Sequence, residues 1–142
     1  MQYKAPLRDM QFVLHELLDS TSHYKSIPEY EEVERDIVDS YIEAAASFAE
    51  NEIAPLNRSG DEEGCTFDNG KVTTPKGFKE AYKQYCELGF AALAADEEFG
   101  GQGMPFSLST VVNEIMGSAN WSFSMYPGLS HGAIQTLEHH GT

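Results

Sequence analysis

The sequence predicts an all-α helical bundle with one short hairpin insertion, and three observations predict it. Apolar residues recur at three- and four-residue steps in five separate segments. Proline and glycine punctuate most of their ends. Strand-like character is confined to one place, where Asp68-Asn69-Gly70 stands between Thr66-Phe67 and Val72-Thr73 as a small hairpin. With 142 residues and 41% hydrophobic content, the chain is long enough to bury one core.

The first helix follows Pro6, with Leu7, Met10, Leu14, Leu17 and Leu18 on one face, and is expected to end near Ser20-Thr21-Ser22. The second runs from about Tyr30 to Ala54. Val33, Ile37, Tyr41, Ala44 and Phe48 form one stripe, and Val38, Ile42, Ala45 and Ala49 widen it, so neighbours are expected on two sides. Pro55 is expected to stop it, because proline lacks the N–H an interior turn needs. Asn57-Arg58-Ser59-Gly60-Asp61-Glu62-Glu63-Gly64 has loop composition and, with the hairpin, reads as an insertion between helices. Thr74 as N-cap with Pro75 at the first position opens a third helix carrying Phe78, Ala81, Tyr82, Tyr85 and Leu88, which Gly89 closes. A glycine-rich loop, Gly100-Gly101-Gln102-Gly103, precedes a fourth helix from about Ser107 to Ala119, with Leu108, Val111, Val112, Ile115 and Met116 inward. After Asn120 a fifth segment, Trp121 to His140, contains Pro127 and Gly128 and has Gly141 at its C-cap position.

Charge narrows the function. The formal net charge is -14, from 23 acidic and 9 basic residues, and such a surface repels nucleic-acid phosphates and anionic lipid. The last basic residue is Lys83, so the stretch from Gln84 to Thr142 holds no cation for a pyrophosphate. Cys65 and Cys86 are too far apart for CxxC chemistry and read as free, buried thiols in a reducing compartment. Neither an apolar signal core after Met1-Gln2-Tyr3-Lys4 nor a run of about 18 apolar residues occurs, so a soluble, cytoplasmic protein is expected.

Most candidate chemistry has a plainer reading. The glycine loop lacks GxGxxG and GxxxxGK[ST] spacing and follows Asp96-Glu97-Glu98, which favours a tight turn with positive φ over a phosphate cradle. Asp61-Glu62-Glu63 lacks the alternating oxygen ligands of a calcium loop. His139 and His140 point about 100° apart on a helix and suit the negative end of its dipole better than a shared metal. Ser130-His131 has no elbow glycines and no orienting acid, which excludes a hydrolase reading. Trp121, Phe123, Met125, Tyr126 and Leu129 read first as core, yet the small Gly128, Gly132 and Ala133 leave room along one face for an acyl chain.

Several segments together carry a family resemblance. Tyr3-Lys4-Ala5-Pro6-Leu7-Arg8-Asp9-Met10, Asn57 to Cys65, Thr73-Thr74-Pro75-Lys76-Gly77-Phe78, Glu98 to Gly103 and Tyr126-Pro127-Gly128-Leu129 resemble an acyl-CoA dehydrogenase subfamily. That subfamily includes enzymes oxidising 3-methylthiopropanoyl-CoA in dimethylsulfoniopropionate breakdown. The resemblance implies an N-terminal helical domain that, in the family, precedes a middle β-domain and a C-terminal helical domain. It implies FAD as hydride acceptor, a Glu base outside this sequence, an acyl-CoA substrate, an electron-transferring flavoprotein as partner and a homo-oligomer at full length. Within the chain it implies an N-terminal extension over 1–30 and the helical domain over 31–142, the other two domains being absent. Carried over by the closing Gly141, a role in walling the acyl cavity falls to Met125, Gly128, Leu129 and Gly132. No catalytic residue and no metal ligand is expected, and the carboxylates Glu114 and Glu138 are expected on the surface or capping helices. The end at Thr142 and the missing cations together imply a piece inactive by itself. The alternative is a free-standing helical interaction module that kept the fold and lost the reaction.

Overall fold

In a computed structural model, which describes residues 3–141, the chain is helical apart from one hairpin. Met1, Gln2 and Thr142, and the expectations that fell on them, lie outside the described residues. The helices are α1 (Leu7–Gln11, continued by a π-helical turn over Phe12–Leu17), α2 (Ser20–Lys25), α3 (Arg35–Phe48), α4 (Ala54–Glu63), α5 (Phe78–Glu87), α6 (Phe106–Ala119) and α7 (Trp121–His140). The hairpin pairs β1 (Thr66–Asp68) with β2 (Lys71–Thr73) in antiparallel register, Phe67 opposite Val72.

The core gathers around Phe48 on α3. Its ring centroid lies 6.1 Å from Tyr85 and Phe90 and 6.3 Å from Phe123. Tyr85 in turn lies 5.9 Å from Phe123, edge to face, and its hydroxyl donates to the Phe90 carbonyl at 3.3 Å. Burial pushes the Tyr85 hydroxyl pKa up to about 12, because the phenolate would lose its water. Val38, Ile42 and Ala45 of α3 join this core with Ala49 and Ile53 just beyond, while Leu108, Val112, Ile115 and Met116 supply the contribution of α6. Leu14 of the π-helical turn and Tyr24 of α2 join the same core, and Tyr24 bonds Ser107 Oγ at 2.7 Å.

Four element boundaries differ from the sequence reading. The first helix ends at Leu17, and Ser20-Thr21-Ser22 begin α2 after Asp19 turns left-handed at φ 46°. The second starts at Arg35, and Pro55 does not end the helical path. A π-helical turn over Ala49–Ile53, closed by Ala54 N–H to the Ala49 carbonyl, lets α4 restart with Pro55 in its first turn, where a missing N–H costs nothing. Residues 57–63, expected as loop, are therefore helical. The reason is tertiary: Gly60 is buried against the Phe78 ring, so closely that a Cβ would overlap it. The third helix begins at Phe78 rather than Thr74, because Gly77 takes a left-handed φ of 85° and separates Thr74-Pro75 from the helix.

The broad α3 face is also rotated from expectation. Its second stripe is buried throughout, as are Val33 and Phe48 of the first, whereas Ile37 and Tyr41 are half-buried and Ala44 is exposed. Cys65 and Cys86 are free thiols, but both are exposed rather than buried. The hairpin, Gly89 after α5, α6 and α7 follow the sequence reading closely. Among the described residues, no helix is long and apolar enough to cross a membrane.

Candidate functional site

Everything expected of a binding face converges on α7, and Asn120 sets where α7 starts. Its side chain is fully buried; Oδ1 accepts the Phe123 N–H at 3.0 Å and Nδ2 donates to the Ile53 carbonyl at 3.0 Å. One amide thus caps α7 and ties it to the junction of α3 and α4. Phe123 and Pro127, one turn apart, are the buried residues of α7, and they turn its opposite side outward. Pro127 has no N–H for the Phe123 carbonyl, so one helical bond is missing on the buried side of α7.

Met125, Gly128, Leu129 and Gly132 fall at helical steps of three and four and share that outward face. Met125 is 50% exposed and Leu129 76%. A Cβ built on Gly128 or Gly132 would meet no atom within 4 Å, and neither glycine has positive φ. Glycine inside a helix costs about 1 kcal/mol relative to alanine. Among the described residues neither a turn nor a neighbour requires these two. Gly128 also borders a slot of about 20 Å³ reached by Pro127, Ser109 and His131. His131 stacks on Phe106 of α6, centroids 5.7 Å apart and planes 16° from parallel, with Nε2 buried and without a hydrogen-bond partner among the described residues. Trp121 and Leu137 on α7 and Phe106 on α6 are exposed apolar side chains as well, Trp121 against its reading as core.

Chemically, this face offers apolar contact. α6 and α7 carry no Lys or Arg. The glycine loop is closed upon itself: the N–H groups of Gly100, Gly101, Gln102, Gly103 and Met104 donate to the carbonyls of Glu97, Asp96, Ala92, Ala95 and Leu93. Gly100 and Gly103 have φ of 84° and 60°, and a Cβ on Gly101 would overlap the Ala95 carbonyl. These N–H groups are spent on the turn, and a flavin or CoA pyrophosphate does not fit this loop. Glu138 accepts the Asp96 N–H at 3.2 Å and so ties the loop to α7, while Glu114 is exposed. Asp61 to Glu63 end α4: Glu62 pairs with Arg58 at 2.8 Å and Glu63 accepts the Lys76 N–H at 3.1 Å. Among the described residues no three His, Cys, Asp or Glu side chains gather as a metal site; His139 and His140 lie exposed in the last turn of α7.

Sequence reasoning missed Asn120 and the His131–Phe106 stack. The first had a readable signal, Asn immediately before an apolar helical run. The second joins residues 25 positions apart on different helices and had none.

A sequence profile described as acyl-CoA dehydrogenase, N-terminal domain, matches residues 38–142. The chain is 37% identical over 137 residues to a 3-methylmercaptopropionyl-CoA dehydrogenase of Ruegeria pomeroyi, covering 96% of this chain and 23% of that protein. It is 27% identical over 143 residues to a butyryl-CoA dehydrogenase of Syntrophomonas wolfei, covering 99% and 23%. It is 29% identical over 142 residues to a broad-specificity linear acyl-CoA dehydrogenase of Mycobacterium tuberculosis, again covering 99% and 23%. The chain therefore spans 23% of the length of the curated relatives it matches.

Proposed function

From the premise that this chain belongs to the acyl-CoA dehydrogenase family and forms its N-terminal helical domain, we propose that its outward α7 face walls the acyl end of the substrate cavity in a larger flavoenzyme. The parent oxidises an acyl-CoA thioester to its α,β-unsaturated product. A short thioester such as 3-methylthiopropanoyl-CoA is the favoured substrate, in keeping with the likeness to the 3-methylmercaptopropionyl-CoA dehydrogenase of Ruegeria pomeroyi. Residues 1–30 act as an extension and 31–142 as the domain proper, while a middle β-domain and a C-terminal helical domain complete the parent.

The observation that carries this reading is the pair of unexplained glycines. Gly128 and Gly132 have open space outside them and are flanked by exposed Met125 and Leu129. Their small size makes sense where a ligand passes close to the helix backbone. FAD and the electron-transferring flavoprotein belong to the parent. The residues here do not form a pyrophosphate site, so the 142-residue chain alone is inactive, and no step of the reaction is assigned to it.

Two measurements test this. In the intact enzyme, Gly128→Leu and Gly132→Leu should raise KM for longer acyl-CoA substrates while the flavin spectrum stays unchanged; equal kinetics across chain lengths would remove the wall role. The isolated chain should show neither bound flavin nor turnover, and a near-stoichiometric flavin spectrum with acyl-CoA oxidation would overturn its inactivity.

A further inference from the structure

A second surface, on the hairpin side of the bundle, combines an apolar floor with two of the cations that lack a carboxylate partner among the described residues. Five of the nine Lys and Arg side chains pair with carboxylates: Lys4, Lys25, Arg35, Arg58 and Lys83. Among the described residues the others, Arg8, Lys71, Lys76 and Lys79, make no such pair, and three of them lie between positions 71 and 79. In a chain of net charge -14 this is a local reversal of sign.

Lys71 and Lys79 border a groove of about 510 Å³ between β2, α5 and the first half of α7. Its floor is Val72, Phe78, Tyr82 and Tyr126. Phe78 is buried, and Tyr126 meets it edge to face with centroids 6.0 Å apart. Tyr82 stacks on the buried Tyr85 at 6.3 Å. The volume falls in the range of roughly 300–1,000 Å³ usual for small-molecule sites. The first turn of α5, with no side-chain cap, opens at the same place, and Thr74 lines the groove instead of capping that helix. Asp68 stands opposite Lys71 in the hairpin register without pairing with it.

We propose that this groove binds an amphiphilic anion, a carboxylate with an apolar body of medium length, its chain on the aromatic floor and its charged end at Lys71 and Lys79. The occupant is a small molecule and not an acidic protein, because two cations border a groove of ligand size floored by aromatic rings. The site is separate from the outward face of Met125, Gly128, Leu129 and Gly132, so its failure would leave the acyl-cavity reading intact.

The test uses the 142-residue chain, labelled with ¹⁵N and titrated with decanoate below its micelle-forming concentration. Saturable shifts should map to residues 71–82 and Tyr126. Two exposed ion pairs contribute enough that Lys71→Gln/Lys79→Gln should weaken decanoate at least about threefold, with the circular dichroism unchanged. Decanol, which keeps the chain and lacks the charge, should bind the native chain more weakly by a similar factor. Absence of saturable shifts, shifts confined to Met125 and Leu129, a loss under about threefold in the double variant, or equal binding of decanol would each overturn the proposal.

Discussion

Replacing Asn120 by alanine tests the joint that sets α7 in place. The side chain does two things at once, accepting the Phe123 N–H at 3.0 Å and donating to the Ile53 carbonyl at 3.0 Å while fully buried. Loss of the N-cap costs about 1 kcal/mol. Leaving the buried carbonyl without its donor costs about 1–3 kcal/mol more. The expected destabilisation is therefore about 2–4 kcal/mol. Asn120→Ser keeps an oxygen for the Phe123 N–H but cannot reach Ile53, so it should retain the capping part and lose about 1–3 kcal/mol. Urea denaturation followed by circular dichroism reads both. With a slope of about 2 kcal/mol per molar urea, the alanine variant's midpoint should fall by about 1–2 M. A shift below about 0.3 M for Asn120→Ala would show that neither bond matters to stability. Equal losses for Ala and Ser would show that the cap contributes nothing and would refute the two-part reasoning.

Three further outcomes follow from the same packing. The Tyr85 pKa is raised from 10.0 to about 12, so the buried neutral phenol contributes stability that is fully present below pH 10 and lost as pH rises toward 12. That alkaline loss, about 2–3 kcal/mol at pH 12 by linkage, should vanish from the pH dependence of urea unfolding in Tyr85→Phe. Glu50 is held below its usual carboxylate range first by its bond to Lys4 and next by the Ala5 N–H at 3.0 Å. Its hold on the N-terminal segment is complete above the ordinary carboxylate pKa and lost as pH falls through the lowered one, so the protection factor of the Ala5 amide should fall in acid, and Glu50→Gln should abolish that response. Gly60→Ala gains about 1 kcal/mol of helix propensity but drives a Cβ into the Phe78 ring, an overpacking cost of about 1–3 kcal/mol. Thermal melting should show no gain for that variant, and a clear rise in Tm would contradict the packing.

The sequence by itself determined the helical class, the hairpin at 66–73, the ends of α6 and α7 and the stop at Gly89, because periodicity, turn residues and caps are local properties. It also placed Met125, Gly128, Leu129 and Gly132 on one helical face, since steps of three and four follow from 3.6 residues per turn. Tertiary structure decided the rest. Helix α4 exists through a stretch of loop composition because Gly60 meets Phe78, and the path crosses Pro55 because a π-helical turn absorbs the missing N–H. Phe48 is the centre of the core because Tyr85, Phe90 and Phe123 arrive at it from distant parts of the chain. Whether a cysteine is buried, or a lysine finds a carboxylate, depends likewise on neighbours that the local sequence does not name. Contacts between residues far apart in sequence carry no local signature, so they became legible only once the helices were packed.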